Sequence, residues 1–313
     1  MPRPLAPPIT NILDLIGNTP MLQLKSIPGA TGAAIFVKLE FLNPGGSVKD
    51  RIGAGMIERA VRDGVLEPGG TIIEPTAGNT GIGLALAGVG MGFRVILCVP
   101  EHFSIEKREV MKALGGEVVL TPKDEGMRGA IDRAQQLARE IPKAYVPQQF
   151  VNRYNTESHY ETTGPEIFEQ MEGRIDAFVT GAGTGGTFTG VARYLRERLP
   201  SVYCAVVQPQ GSVFAGGEAG PHEVEGIGNS FIPPVLDLSL ANEIITIPDK
   251  DAFAMVRRLT AEEGILGGSS SGANVAAAVQ VASKLGAGKR VVTLIPDGAE
   301  RYMSKGIFSK GKL

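Results

Sequence analysis

The stretch DAFVTGAGTGGTFTGVARYLRERL, residues 176–199, decides how the chain is read. It opens with a short apolar β-type run, passes through a loop of glycine and threonine, and continues as a helical pattern. Gly181, Gly183 and Gly186 satisfy G-x-G-x-x-G, a spacing that lets backbone N–H groups at a helix start close around a phosphate. A dinucleotide site also requires an acidic residue about 20 positions on, at the end of the next strand. Here that strand, VYCAVVQPQ, ends in Gln208 and Gln210. The loop therefore predicts a phosphate cradle without a ribose anchor.

Working outward, the same strand-then-helix alternation runs along most of the chain. Strands are predicted at 35–40, 71–75, 93–99, 117–121, 144–148, 176–181, 202–208, 243–248 and 290–296. Several are continuous in Val, Ile and Leu, the mark of parallel strands covered on both faces. Between them lie helical stretches such as SIEKREVMKALG, where Ile105, Val110, Met111 and Leu114 recur near the helical period. This alternation predicts an α/β fold, doubly wound with right-handed crossovers. At roughly 100–200 residues per domain, 313 residues suggest two domains or one large α/β unit. The irregular segment 148–165 is the best candidate junction, so we divide the chain into 1–155 and 156–313.

Composition narrows the class. The 42 glycines are nearly double the usual share of about 7% and follow no collagen period, so they mark turns and close approaches to a ligand. Thirty-one Lys and Arg against 33 Asp and Glu leave a net charge of −2, with no basic footprint for nucleic acid. Cys98 and Cys204 each fall in an apolar run that reads as a buried strand, and two such residues make no disulfide framework. The N-terminal MPRPLAPPIT has no apolar core of a signal peptide. The uncharged runs 75–93 and 264–283 are broken by Gly, Asn and Ser, unlike a membrane span. A cytoplasmic protein is expected.

Three further segments carry chemistry. In EPTAGNTGIGLALA a strand ends near residue 75 and a helix begins near Asn79, a second anion-binding helix start. Thr76, Asn79 and Thr80 add polar side chains there; simple N-capping by Thr76 or Asn79 explains them equally well. In EFLNPGGSVKDRIG, Lys49 opens a helix, where a positive charge is electrostatically misplaced. A neutral amine, or one consumed in a Schiff base, removes that penalty; a solvated surface lysine is the plain alternative. In GILGGSSSGANVAAA, the residues 268–272 match G-x-S-x-G, but a helix precedes them, and all three histidines lie upstream, against a hydrolase. Neither a metal-ligand spacing nor a G-x-x-x-x-G-K-[ST] loop is present.

Together these segments resemble the cysteine synthase (O-acetylserine sulfhydrylase) and cystathionine β-synthase family, fold-type II enzymes dependent on pyridoxal 5′-phosphate. The resemblance covers nearly the whole chain, from IGNTPMLQL through KLEFLNPGGSVKDR, EPTAGNTGIGLALA, PQQF, TTGPEI, GAGTGGTFTG, EGIGNSFIP and GILGGSSSGA to PDGAERY. It implies two tryptophan synthase β-like α/β domains with the active site in the cleft between them, the first ~45 residues packing on the C-terminal domain.

Residue by residue, the resemblance implies that Lys49 carries the cofactor as a Schiff base and is the catalytic base. It gives Gly183, Thr184, Gly185, Gly186 and Thr187 to the phosphate, Asn79 to the 3′-oxygen and Ser270 to the pyridine nitrogen. A serine there, rather than an aspartate, leaves the ring largely unprotonated and biases the chemistry towards β-elimination and replacement. Thr76, Ala77, Gly78, Asn79, Thr80 and Gln149 match the site for the substrate α-carboxylate, and Gly226 a loop that closes over the amino acid. The implied reaction converts O-acetyl-L-serine and sulfide to L-cysteine and acetate through an α-aminoacrylate; homocysteine as nucleophile would give cystathionine. A homodimer is implied, with serine acetyltransferase as a partner, and no metal, membrane or nucleic acid. One departure stands out: the family's loop reads T-S-G-N-T-G, and here the serine is Ala77. The lost hydroxyl is expected to shift donor preference rather than abolish activity.

Overall fold

The computed structural model describes residues 8–76 and 78–309. Ala77, read above as part of the carboxylate site, lies outside the described residues. Ten strands form two sheets among these residues: β1 (Met21–Gln23), β2 (Ala34–Leu39), β3 (Thr71–Pro75), β4 (Arg94–Pro100), β5 (Glu117–Thr121), β6 (Ala144–Tyr145), β7 (Ala177–Gly181), β8 (Tyr203–Pro209), β9 (Glu243–Ile247) and β10 (Arg290–Ile295). The helices are α1 (Lys49–Arg62), α2 (Asn79–Gly90), α3 (Ile105–Ala113), α4 (Gly126–Glu140), α5 (Arg153–Ser158), α6 (Gly164–Gln170), α7 (Gly186–Arg198), α8 (Asp249–Glu263) and α9 (Ser269–Leu285).

One sheet has four parallel strands in the order β5-β4-β3-β6. The other has six, β1-β2-β10-β7-β8-β9, all parallel except for β1 on β2. Residues 21–39 thus complete the sheet built otherwise from the C-terminal half, with Ile35 opposite Val291 and Val37 opposite Thr293.

The continuous apolar runs have their predicted cause, because each sheet is covered on both faces. In the six-stranded sheet, one face packs on α8 and α9 through Leu259, Val275 and Val281, the other on α6 and α7 through Ile167, Phe188 and Leu195. In the four-stranded sheet, α1 and α2 cover one face with Ile52, Met56 and Leu84, and α4 covers the other with Ala130 and Ala134. Each of the larger side chains among them contributes roughly 1.5–3 kcal/mol by leaving water.

Three expectations change. The short edge strand β1 escapes a reading based on long apolar runs. The strand expected over 144–148 stops at Tyr145, because Pro147 has no N–H to donate and Gln148 turns into the left-handed region at φ 55°. The segment 148–165, read as irregular, is largely helical: α5 runs into α6 through a wide π-helical turn at His159–Thr163. Pro165, which lacks an N–H, sits where the wide turn hands over to α6.

Candidate active site

The site collects at the carboxyl ends of β3, β7 and β10, where an α/β fold binds its ligands. Lys49 is the first residue of α1, following Val48, whose N–H donates to the Pro296 carbonyl just beyond β10. Helices α1 and α2 come close because glycines face each other: a Cβ on Gly83 would sit 2.5 Å from the Lys49 carbonyl oxygen. This contact sets Lys49 beside the start of α2.

A cleft of about 500 Å³ receives the Lys49 side chain. Around it lie Asn79, Gly183, Thr184, Gly185, Thr187, Gly226 and Ser270, all expected from the sequence, with Asp297, which was not. Gly186 stands behind the cradle, where any side chain would collide with the Asn155 amide. Thr76, Gly78 and Thr80 form the turn into α2 next to Asn79; the Thr80 hydroxyl donates to Gln149 Oε1 at 2.7 Å, joining two expected residues 69 positions apart. The sequence-derived site is therefore one place, apart from the undescribed Ala77.

Lys49 Nζ has no hydrogen-bond partner among the described residues, and burial holds its amine below the ordinary lysine range, against the opposing pull of the Asp297 carboxylate. Burial thus eases the penalty stated for a charged lysine at a helix start. Burial in turn pushes the Asp297 carboxyl up, while donors from Tyr302 and Asn79 and the charges of Lys107 and Arg301 hold it down. Asn79 is held from both sides: its Nδ2 donates to Asp297 Oδ2 at 2.7 Å and its Oδ1 accepts from Arg301 Nη1 at 2.5 Å.

At the other end of the cleft, the N–H groups of Gly186, Thr187 and Phe188 open α7 and have no intrahelical acceptor. Gly185 adopts φ 92°, and Gly183 abuts the Gly226 carbonyl, so neither accepts a side chain. Thr184 accepts from Asn155 Nδ2 at 2.9 Å, and Thr187 lies 3.1 Å from His159 Nε2. Burial keeps His159 neutral, its pKa lowered to about 3, and its other nitrogen meets Thr163 at 2.9 Å. Ser270 stands in the first turn of α9, buried and within the same cleft.

Helix-start N–H groups without intrahelical acceptors, a backbone cradle closed to Cβ atoms and a desolvated amine fit a phosphorylated aldehyde. A model of pyridoxal-phosphate-dependent enzymes matches residues 12–297. The chain belongs to this family. It is 50% identical over 303 residues (97% of this chain, 99% of the relative) to the O-acetylserine dependent cystathionine β-synthase of Bacillus subtilis. It is 47% identical to a cysteine synthase of Staphylococcus aureus (96% and 98% covered). The crystal structure of an O-acetylserine dependent cystathionine β-synthase from Helicobacter pylori superposes with a TM-score of 0.92 at 46% identity, covering 97% of this chain and all of that one. The family's cofactor is pyridoxal phosphate.

Sequence reasoning missed Glu74, Asn155, His159, Asp297 and Arg301. Glu74 opens the EPTAGNTG segment, and Asp297 and Arg301 lie in PDGAERY, so these three could have been suspected; Asn155 and His159 carry no local signal. Among the described residues, no helix is long and apolar enough to cross a membrane.

Proposed function

We propose that the protein catalyses a β-replacement in which sulfide displaces the acetate of O-acetyl-L-serine, giving L-cysteine. The observation that carries this reading is the unpartnered Lys49 amine in a cleft with a phosphate cradle at one end and a polar helix start at the other. Gly183, Thr184, Gly185, Gly186 and Thr187 hold the cofactor phosphate, Asn79 its ring oxygen and Ser270 its ring nitrogen. Pyridoxal phosphate, when bound, supplies the electron sink at the substrate Cα.

The donor carboxylate binds at the start of α2, on Thr76, Ala77, Gly78, Asn79 and Thr80, with Gln149 opposite. Lys49 Nζ, its proton affinity lowered by burial, takes the α-proton; the Cβ–O bond breaks and acetate leaves with its electron pair. Hydrosulfide then forms the S–Cβ bond, and Lys49 returns the proton to Cα. Gly226, beside the cradle, closes over the amino acid and excludes water.

Homocysteine is the second candidate nucleophile, favoured by the 50% identity to a relative named for cystathionine synthesis. The absorption spectrum of the holoenzyme separates the two. O-Acetyl-L-serine should shift the visible band, and at equal concentration the faster of sulfide and homocysteine to restore it names the product. A band indifferent to O-acetyl-L-serine would overturn the reading.

We also place the division between the two halves near residue 155 and assign the chain to the cytoplasm, in keeping with two unpaired cysteines. A homodimer and docking on serine acetyltransferase rest on the family resemblance. Sedimentation of the protein alone and with the acetyltransferase tests both.

A further inference from the structure

Glu74 is the fourth of five residues in β3, two positions before the carboxylate-binding turn, and is 1% exposed. No cation pairs with its carboxylate among the described residues. Instead both oxygens accept backbone N–H groups from one place: Oε2 from Gln148 at 2.9 Å and Oε1 from Gln149 at 3.2 Å. Two successive N–H groups converging on one carboxylate form a nest, a backbone concavity that binds anions. Its geometry accounts for the left-handed φ of 55° at Gln148, a conformation that a non-glycine residue keeps only when its surroundings impose it.

The nest has consequences on both sides. Forward, Gln149 Oε1 accepts from Thr80 at the start of α2. Behind, the Gln149 carbonyl accepts from Asn155 Nδ2 at 2.8 Å, and the same Nδ2 donates to Thr184 in the phosphate cradle. Glu74 is therefore the fixed end of a chain of contacts that reaches both loops of the site. It also lines an open pocket with Phe150 and Phe231, and its own burial pushes its carboxyl up to about 7.

We infer that Glu74 is a positioning residue for the donor carboxylate: it fixes the 148–149 backbone and so aims the Gln149 side chain at the turn opened by Thr80. The inference rests on the β-replacement reading, and on Gln149 facing the donor. A structural role alone would lower stability without singling out one substrate.

The test is steady-state kinetics of the holoenzyme with O-acetyl-L-serine and sulfide, comparing wild type, Glu74→Gln, Glu74→Asp, Gln149→Ala and the double variant Glu74→Gln/Gln149→Ala. The amide of Glu74→Gln keeps the shape but presents one acceptor and one donor to two N–H groups. It should raise the donor KM about ten-fold, with kcat and the sulfide KM within about two-fold, as expected when one buried interaction with a charged group is lost. In the Gln149→Ala background the same substitution should add less than about two-fold, because Glu74 acts through Gln149. Glu74→Asp keeps the charge on a shorter arm and should fall between, carrying the test if the glutamine variant does not fold.

An unchanged donor KM, an equal loss in kcat and both KM values, or full additivity with Gln149→Ala would overturn the inference. Failure of the wild type to turn over O-acetyl-L-serine would instead overturn the functional reading. Hydrogen exchange at residues 148–149 then still decides the positioning: Glu74→Gln should speed it, and unchanged exchange refutes the nest.

Discussion

The loops that open α7 and α2 follow one plan, a strand, a glycine-rich turn and a helix N-terminus, yet they are held in opposite ways. The cradle at Gly183–Thr187 is shaped from within. Gly185 takes a left-handed backbone, Gly183 lies against a carbonyl, and the first-turn N–H groups point where the helix directs them. The donor turn at Thr76–Thr80 is shaped from outside: Asn79 hangs between Asp297 and Arg301, and Thr80 leans on Gln149, which Glu74 supports from below. On the proposed function, the resident phosphate would meet a backbone mould, and the passing carboxylate a turn held by side-chain contacts.

Lys49 stands between the two loops and belongs to neither, so its removal has the largest effect. Lys49→Ala should lower kcat by at least about 10³-fold, as expected for loss of a positioned acid–base group. The fold should survive, because Nζ bonds nothing among the described residues. Near-wild-type turnover by this variant, followed as cysteine formed per unit time, would remove Lys49 from the proton transfers and leave the comparison without its centre.

The comparison itself breaks or holds on a pair of variants. Gly183→Ala forces a Cβ onto the Gly226 carbonyl oxygen, so one of the two backbones must shift. Overpacking of this kind costs about 2–3 kcal/mol, so cofactor affinity should fall roughly 30–100-fold, measured by equilibrium dialysis. Thr80→Val removes the hydroxyl that leans on Gln149 and should raise the donor KM about ten-fold while cofactor affinity stays within about three-fold. If both variants weakened cofactor and donor alike, the two loops would be one unit and the contrast would be false.

The same division explains what the sequence disclosed. The cradle was legible in residues 176–199 because backbone constraints select glycine at fixed spacing, and glycine spacing is visible in one dimension. The alternation of strands was legible for a similar reason, since burial on both faces demands unbroken apolar runs. What supports the donor turn was not legible. Glu74 meets its partners 74 and 75 positions on, and Asn79 meets Asp297 and Arg301 more than 200 positions away. Gln149 was found through resemblance to a family, not through its surroundings. Arg51, two residues past Lys49, shows the same limit: it bonds both Glu40 and Glu166 in a buried cluster with Lys38, pinning the start of α1 to β2 and α6. No spacing in the sequence announces that cluster.

The smallest effect separates the loops by the sign of a pH dependence. His159, behind the cradle, is held neutral, its pKa lowered from 6.5 to about 3 by burial and, next, by the Arg51 charge. Between those values the unfolded chain binds a proton that the folded chain refuses, so this group costs stability as the pH falls through that window. Glu74, behind the donor turn, has its pKa raised from 4.5 to about 7 by burial. Here the folded chain holds the proton longer, so stability is lost as the pH rises from 4.5 to 7. Thermal unfolding followed from pH 4 to 8 should therefore lose, in His159→Gln, a contribution that rises with pH up to 6.5 and, in Glu74→Gln, one that falls from pH 4.5 to 7, each worth a few degrees. Between pH 4.5 and 6.5 the two substitutions must change the slope in opposite directions: curves that shift in parallel for both variants would mean that neither group titrates where its burial places it.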